Sequence, residues 1–459
     1  MSLFLSTRNC VRRQALLLPL AAGLLSLLTA SAAMAINVGY QRSVGGVTIR
    51  PDGVLRQLDV RDQAEIVKHF RANLKPVPAG LNLPVEIRKI SLRGIDAALR
   101  EVQMNNKQQL PDEVKYLAGI QRVQWIFVDP EKQDIVLAGP GEGWKVNEQG
   151  NVVGVTTGRP VILLEDLLVA LRSTDSARSG EGISVSIEPT PEGRRSFEQF
   201  IGRFHTFNPQ VIAGASEAMG PQRIILTGVP ETSHFARVLV ASDYHMKCMA
   251  MKLTESGVAG LPSYLDLLKQ KRQKPTSSTP RWWMACNYDP LARSADKLAW
   301  QLRGPGVKVM TENDFVAADG TVRGTGKQDP VARDWAERMT KTYDELSRKN
   351  PVFGELRNLM DLCVVSAIIK KEGLTNLAGC QLPTLFANQC QAACDELNAA
   401  KTTATQCSFL RIGNNFVITA SGGVDIDSWA VAAKSEVDEQ VKETRAKAVA
   451  PARASWWWN

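Results

Sequence analysis

Apolar positions along the chain recur with two different periods. Leu92, Ile95, Leu99 and Val102 fall on one stripe at helical spacing, which predicts a helix within 90–104. A second helix opens at Pro111, a residue suited to the first helical position, and turns Val114, Leu117 and Ala118 inward. Period two takes over in VQWIFVD (123–129) and DIVLA (134–138), two β-rich runs parted by PEKQ, which predict a hairpin. Earlier, Val47-Thr48-Ile49-Arg50 runs as a strand into the tight turn Pro51-Asp52-Gly53. GNVVGVTTGRP is a glycine-punctuated strand pair that leads into a helix over 164–172, and ISVSI (183–187) is a strand turned by EPTPEG into a helix near Pro191. NPQVIAGASEAM (208–219) predicts a helix and QRIILTGVP (222–230) a strand. QDIVLAGP set beside QRIILTGVP gives two related α/β modules, 36–175 and 176–268. Thr232-Ser233 then cap a core-facing helix that carries Phe235, Val238, Leu239, Met246 and Met249 on one face.

The pattern changes at KQKRQKPTSSTP (269–280), which has almost nothing to bury and is expected to be an exposed linker. Beyond it, 281–435 is expected to form a helix-rich C-terminal domain. Asp329-Pro330 opens a helix with Val331, Trp335, Met339 and Leu346 facing in, ended by Asn350-Pro351. The next helix, FGELRNLMDLCVVSAIIKK, is apolar nearly all round from Leu359 to Ile369 and therefore belongs in the middle of a domain, closed by Lys370, Lys371 and Gly373. Residues 436–459 are charged, then Ala-rich, a tether that ends in SWWWN. The fold class expected is α+β: two α/β modules followed by a helix-rich, disulfide-bearing domain.

Residues 1–35 read as an export signal, with Arg8, Arg12 and Arg13, a leucine run, and Ala33-Met34-Ala35 as cleavage site. The place expected is the periplasm, cell envelope or extracellular space, and no later segment is apolar enough to span a bilayer. The net charge of +8 includes those three arginines, and the remainder is mild, fitting surface solubility and not nucleic-acid binding. Seven of the 8 cysteines follow the leader, and Cys380, Cys390, Cys394 and Cys407 are crowded together. In an oxidising compartment the expectation is two disulfides from Cys390 and Cys394 to Cys380 and Cys407, of undetermined connectivity; a four-thiolate zinc site lacks its C-x-x-C knuckles.

Four stretches, DEVKYLAGIQRVQWIFVDPEKQDIVLAGPGEGW, GNVVGVTTGRPVILLEDLLVALR, RWWMACNYDPL and NPVFGELRNLMDLCVVSAII, together resemble a family of exported planctomycete proteins catalogued only as a domain of unknown function. The resemblance implies a bacterial exported protein and carries no functional residues.

Chemistry is sparse. AGPGEGW lacks the G-x-G-x-x-G spacing, GTVRGTGKQ fails as a phosphate loop, and no G-x-S-x-G or H-E-x-x-H motif is present. The weak catalytic candidates are His205, Asp243 and His245, with His234 as a further residue that could converge on them and Cys248 as a conceivable nucleophile; the bland reading is an exposed Asp243–Lys247 pair and ordinary histidines. Trp282 and Trp283 are adjacent in a predicted strand, so one faces the core and the other a surface or contact. Trp456, Trp457 and Trp458 are expected to dock, on the protein's own body in preference to a partner. No cofactor and no metal are expected. The function expected is a non-catalytic binding or assembly component with an envelope or extracellular protein partner, the alternative an exported hydrolase with a His/Asp-based site.

Overall fold

A computed structural model of the chain describes residues 43–104, 110–180, 182–204, 209–312, 314–316, 322–324, 326–387, 397–448 and 456–459. The leader over 1–35, His205, Cys390, Cys394 and residues 449–455 of the tether lie outside the described residues.

Two large sheets organise the mixed α+β fold. The first has eight strands in the spatial order Val47–Ile49, Val54–Gln57, Thr402–Thr403, Gln222–Thr227, Ile183–Glu188, Ser421–Ile426, Arg281–Asn287 and Gly306–Glu312. The second has seven, in the order Ser435–Val437, Leu291–Arg293, Ala299–Gln301, Trp125–Asp129, Asp134–Gly141, Val85–Ser91 and Trp457–Trp458. The hairpin expected at 123–138 is present as Trp125–Asp129 paired antiparallel with Asp134–Gly141. Strand Ser421–Ile426 is squeezed between two neighbours, which explains its Ser-Gly-Gly start: a Cβ on Gly422 would collide with the Trp282 carbonyl, and Gly422 has φ +127°.

Helices Leu164–Ser179, His234–Ala250 and Pro351–Lys371 pack on one another. His234–Ala250 lies against the eight-stranded sheet, while helices Leu92–Met104 and Leu374–Ala378 cover the second sheet. Pro351–Lys371 is buried from Pro351 to Ile369, as its all-round apolar pattern requires. Among its polar residues, Asp361 takes a two-pronged bond from Arg122 (2.8 and 3.0 Å) and one from Tyr288 (2.7 Å), and Arg357 bonds Asp344 (3.0 Å). Side-chain caps fall where expected, with Ser233 accepting from Ala236 N–H and Asp329 from Val331 and Ala332 N–H.

Three expectations need correction. Two modules followed by a separate C-terminal domain is not how the sheets are built. The segments QDIVLAGP and QRIILTGVP lie in different sheets, and strands beyond residue 281 enter both: Arg281–Asn287 runs parallel to Ser421–Ile426, and Ala299–Gln301 pairs with Trp125–Asp129. The helix expected from Pro330 through Leu346 is two, Pro330–Lys341 and Tyr343–Lys349, divided at Thr342. The disulfide patch is also absent among the described residues, where Cys248, Cys286, Cys363, Cys380 and Cys407 are free. Cys380 packs into the main core, whereas Cys407 packs against a small separate cluster of Phe197, Ala215, Met219 and Val417. Cys380 and Cys407 therefore do not pair with each other, and Cys390 and Cys394, from which the expected bonds run, lie outside the described residues.

Candidate functional site

Residues 408–418, unassigned by pattern, form a hairpin of Ser408–Ile412 and Asn414–Ile418 around Gly413, whose φ of +67° suits the reversal. The hairpin is a two-stranded sheet, so among the described residues one edge of Asn414–Ile418 pairs with no strand. Just past it the chain zips against the 275–280 segment. Thr419 N–H donates to Ser278 O (2.9 Å), Ser421 N–H to Pro280 O (3.0 Å), and the parallel ladder with Arg281–Asn287 follows. Before Thr419 the two segments part, and a groove of about 790 Å3 opens between 275–278 and 413–418. Its third wall is the end of helix Pro191–Ile201, with Glu198, Ile201, Gly202 and Phe204. Thr276 Oγ1 bonds Asp329 (2.9 Å), the cap of helix Pro330–Lys341, and so anchors the 275–278 wall. The described lining includes two aromatic rings (Phe204, Phe416), hydroxyls and an amide, and Glu198 is the one titratable group among those residues.

Titratable groups gather in the interior instead. His234 opens one buried helix and Asp166 lies in the first turn of another; Nδ1 of His234 stands 3.0 and 3.1 Å from the two Asp166 oxygens. Burial alone would push the imidazolium down, but Asp166, with Glu165 and Glu355 beyond, carries its pKa up to about 10. The proton therefore stays on, and an imidazolium so held is a poor general base. Glu355, in the second turn of Pro351–Lys371, is pushed up by burial to about 6 although His234 and Asn151 pull it down. Its Oε1 accepts from Asn151 Nδ2 (2.8 Å), and its buried Oε2 has no hydrogen-bond partner. The cluster ties together the beginnings of three helices. A cation at a helix N-terminus is unfavourable by itself, and the carboxylates offset it.

The sequence-derived candidates among the described residues, Asp243, His245 and Cys248, do not converge. Asp243 is wholly buried and paired with Lys247 (2.8 Å), which also donates to Ile187 O (2.7 Å) and Gly422 O (3.2 Å); the pair is therefore buried and not exposed as expected. Burial raises the Asp243 pKa against the pull of Lys247. The cavity beside Lys247, also lined by Tyr244 and Gln406, is about 20 Å3. Such a space holds about one water molecule and no substrate. His245 faces elsewhere, its Nε2 donating to Gly45 O (2.5 Å), and burial lowers its pKa, so it is held neutral. Cys248 Sγ donates to Gln406 Oε1 (2.9 Å), and burial lifts the thiol to about 12, which removes the thiolate a nucleophile needs. Among the described residues no group of three or more His, Cys, Asp or Glu side chains could hold a metal ion.

Trp282 is in the core, edge-on to Tyr264 and Trp335 with its indole N–H on Ala332 O (3.2 Å), while Trp283 is half-buried beneath the Arg281 guanidinium. The terminal tryptophans lie on the edge of the seven-stranded sheet. Trp457 pairs with Ile90 and Trp458 with Lys89, and Ser91 N–H donates to Trp456 O (2.7 Å). The wholly buried Arg88 donates from Nε to Asn459 Oδ1 (2.9 Å).

Residues 185–264 match a family described as protein of unknown function (DUF1598). The matched stretch runs from strand Ile183–Glu188 to the start of helix Tyr264–Lys271, and so contains His234, Asp243 and His245 as well as the helical wall of the groove. Searches of curated proteins and of solved structures gave no match.

Proposed function

We propose that the protein is a non-catalytic binding component that acts outside the inner membrane and engages a protein partner through the groove between 275–278 and 413–418. One observation carries this reading: among its described lining residues the large concavity has a single titratable group, Glu198, whereas the Asp, Lys and His side chains of the interior are committed to one another and to backbone carbonyls. A surface of rings, hydroxyls and backbone suits recognition better than acid–base chemistry. The export-type leader at 1–35 supports the location. The test is a photo-crosslinking residue placed at Ser277, with a control at the remote, exposed Val60. A partner captured from the envelope fraction at Ser277, absent at Val60 and lost on Ile201→Arg, is the expected result. Equal capture at both positions overturns it.

A second reading, an exported hydrolase with a His/Asp site, has the His234–Asp166 pair in its favour. It requires turnover in a panel of ester, peptide and glycoside substrates that disappears in His234→Gln while the fold is kept.

A further inference from the structure

We infer that the groove takes an extended polypeptide segment, about five residues long and carrying a lysine or arginine, which adds as a third strand to the free edge of Asn414–Ile418. The inference rests on the binding reading above and supplies its ligand.

The edge supplies the first reason. A strand exposes a row of backbone N–H and C=O groups along each side, and among the described residues Ser408–Ile412 pairs with one side of Asn414–Ile418 and no strand with the other. An exposed edge is a template for another strand, and proteins that leave it open beside a groove use it for peptide capture. The second reason is the way the groove begins. The 275–280 segment bonds the chain at Thr419 and Ser421, so a strand-like partner already occupies this edge just beyond Ile418. From Ser278 back to Pro275 that partner turns away, and an incoming segment would continue the line it leaves. The length follows from the five-residue edge of Asn414–Ile418, which spans roughly 17 Å at about 3.3 Å per residue.

Side chains complete the fit. Successive residues of an added strand point to opposite faces, so alternate side chains would face Phe204 and Phe416 while the others face solvent. Glu198, exposed on the helical wall, is the one charged side chain among the described lining residues and favours a cation on the ligand.

The experiment selects ligands for the full chain from a displayed library of random heptapeptides, discarding those that also bind Ile201→Arg. The best sequence is then synthesised with single backbone N-methyl groups at successive positions. Strand addition predicts that N-methylation weakens binding about tenfold at every second residue and little between them, because alternate amides face the edge. Selected peptides should carry Lys or Arg, and Glu198→Gln should weaken them severalfold. Peptide binding that is indifferent to N-methylation, or a selection that yields no groove-specific peptide, overturns the proposal. If the Ser277 crosslink still captures a partner in that case, the binding reading stands and only the strand-addition step has failed. Concentration-dependent self-association abolished by Ile201→Arg would assign the groove to a second copy of the chain and overturn the proposal as well.

Discussion

Removing Trp456–Asn459 tests how the fold uses its terminal strand. Trp458 is 8% exposed, Trp456 and Trp457 are half-buried, and the indole N–H of Trp458 reaches Ala448 O at 3.1 Å. The three rings together remove on the order of 400 Å2 of apolar surface from water, or about 10 kcal/mol at roughly 25 cal/mol/Å2. Fixing four residues costs about 6 kcal/mol at roughly 1.5 kcal/mol each. The difference, about 4 kcal/mol, is what deletion should cost, with Arg88 Nε losing its Asn459 partner as part of it. At about 2.1 cal/mol/K per residue over roughly 400 residues, this lowers Tm by about 5 °C, readable by scanning calorimetry. A sharper readout comes from Gly94, in helix Leu92–Met104, where a Cβ would collide with Trp456. Gly94→Ala should destabilise the full chain, yet stabilise the tail-deleted chain by roughly 0.5–1 kcal/mol through helix propensity alone. Gly80→Ala, whose Cβ would lie 2.7 Å from the Trp457 ring, should likewise cost stability only when the tail is present. A deletion that leaves Tm within a degree, or a Gly94→Ala effect of the same sign in both backgrounds, refutes the reasoning.

The His234 cluster should make stability pH-dependent. Because the His234 pKa rises from 6.5 to about 10 on folding, its contribution is fully present below pH 6.5 and is lost as pH climbs toward 10; the loss in urea midpoint caused by His234→Gln should therefore shrink over that range. Glu355 is raised from 4.5 to about 6, so its neutral form is the favoured one, and Glu355→Gln should add about 2 kcal/mol above pH 6 and little below pH 4.5; a gain at acid pH instead would contradict the assignment. Asp243→Ala leaves Lys247 buried without its carboxylate and should cost about 3–5 kcal/mol in urea melts, most of it recovered in Asp243→Leu/Lys247→Met. A single-variant cost below about 1 kcal/mol would rule out a buried pair. Finally, protein unfolded in guanidinium without reductant should expose at least the five thiols Cys248, Cys286, Cys363, Cys380 and Cys407 to a thiol reagent; three or fewer would restore the disulfide patch.

Local physics was legible in the sequence wherever one segment determined its own state. Ser233 and Asp329 announce helix starts, VQWIFVD and DIVLA announce a hairpin, and the all-round apolar run after Pro351 announces a central helix. The break at Thr342 escaped because the apolar spacing carries on from Met339 to Leu346 across it. What escaped altogether depends on partners far along the chain. Asp243 and Lys247 sit one helical turn apart and read as a surface pair; they are buried because carbonyls from Ile187 and Gly422, on two distant strands, complete the ammonium's bonds. His234 and Asp166 are 68 residues apart and meet only because two helices begin at the same place.

The groove follows the same logic in reverse. Turn residues at Gly413 and Asn414 are visible to a pattern reading and were available as a hairpin signal. That the edge of Asn414–Ile418 pairs with no strand among the described residues is a property of what the 275–280 segment does before Ser278, where it runs apart from the hairpin, to meet the chain only at Thr419 and Ser421 and join the eight-stranded sheet at Arg281. KQKRQKPTSSTP was readable as exposed, and most of it is; its last residues, Thr279 and Pro280, are buried where the zipper closes. A stretch that reads as a passive linker is therefore one wall of the groove, because the composition that keeps a segment from packing also leaves its hydroxyls and backbone free for a ligand.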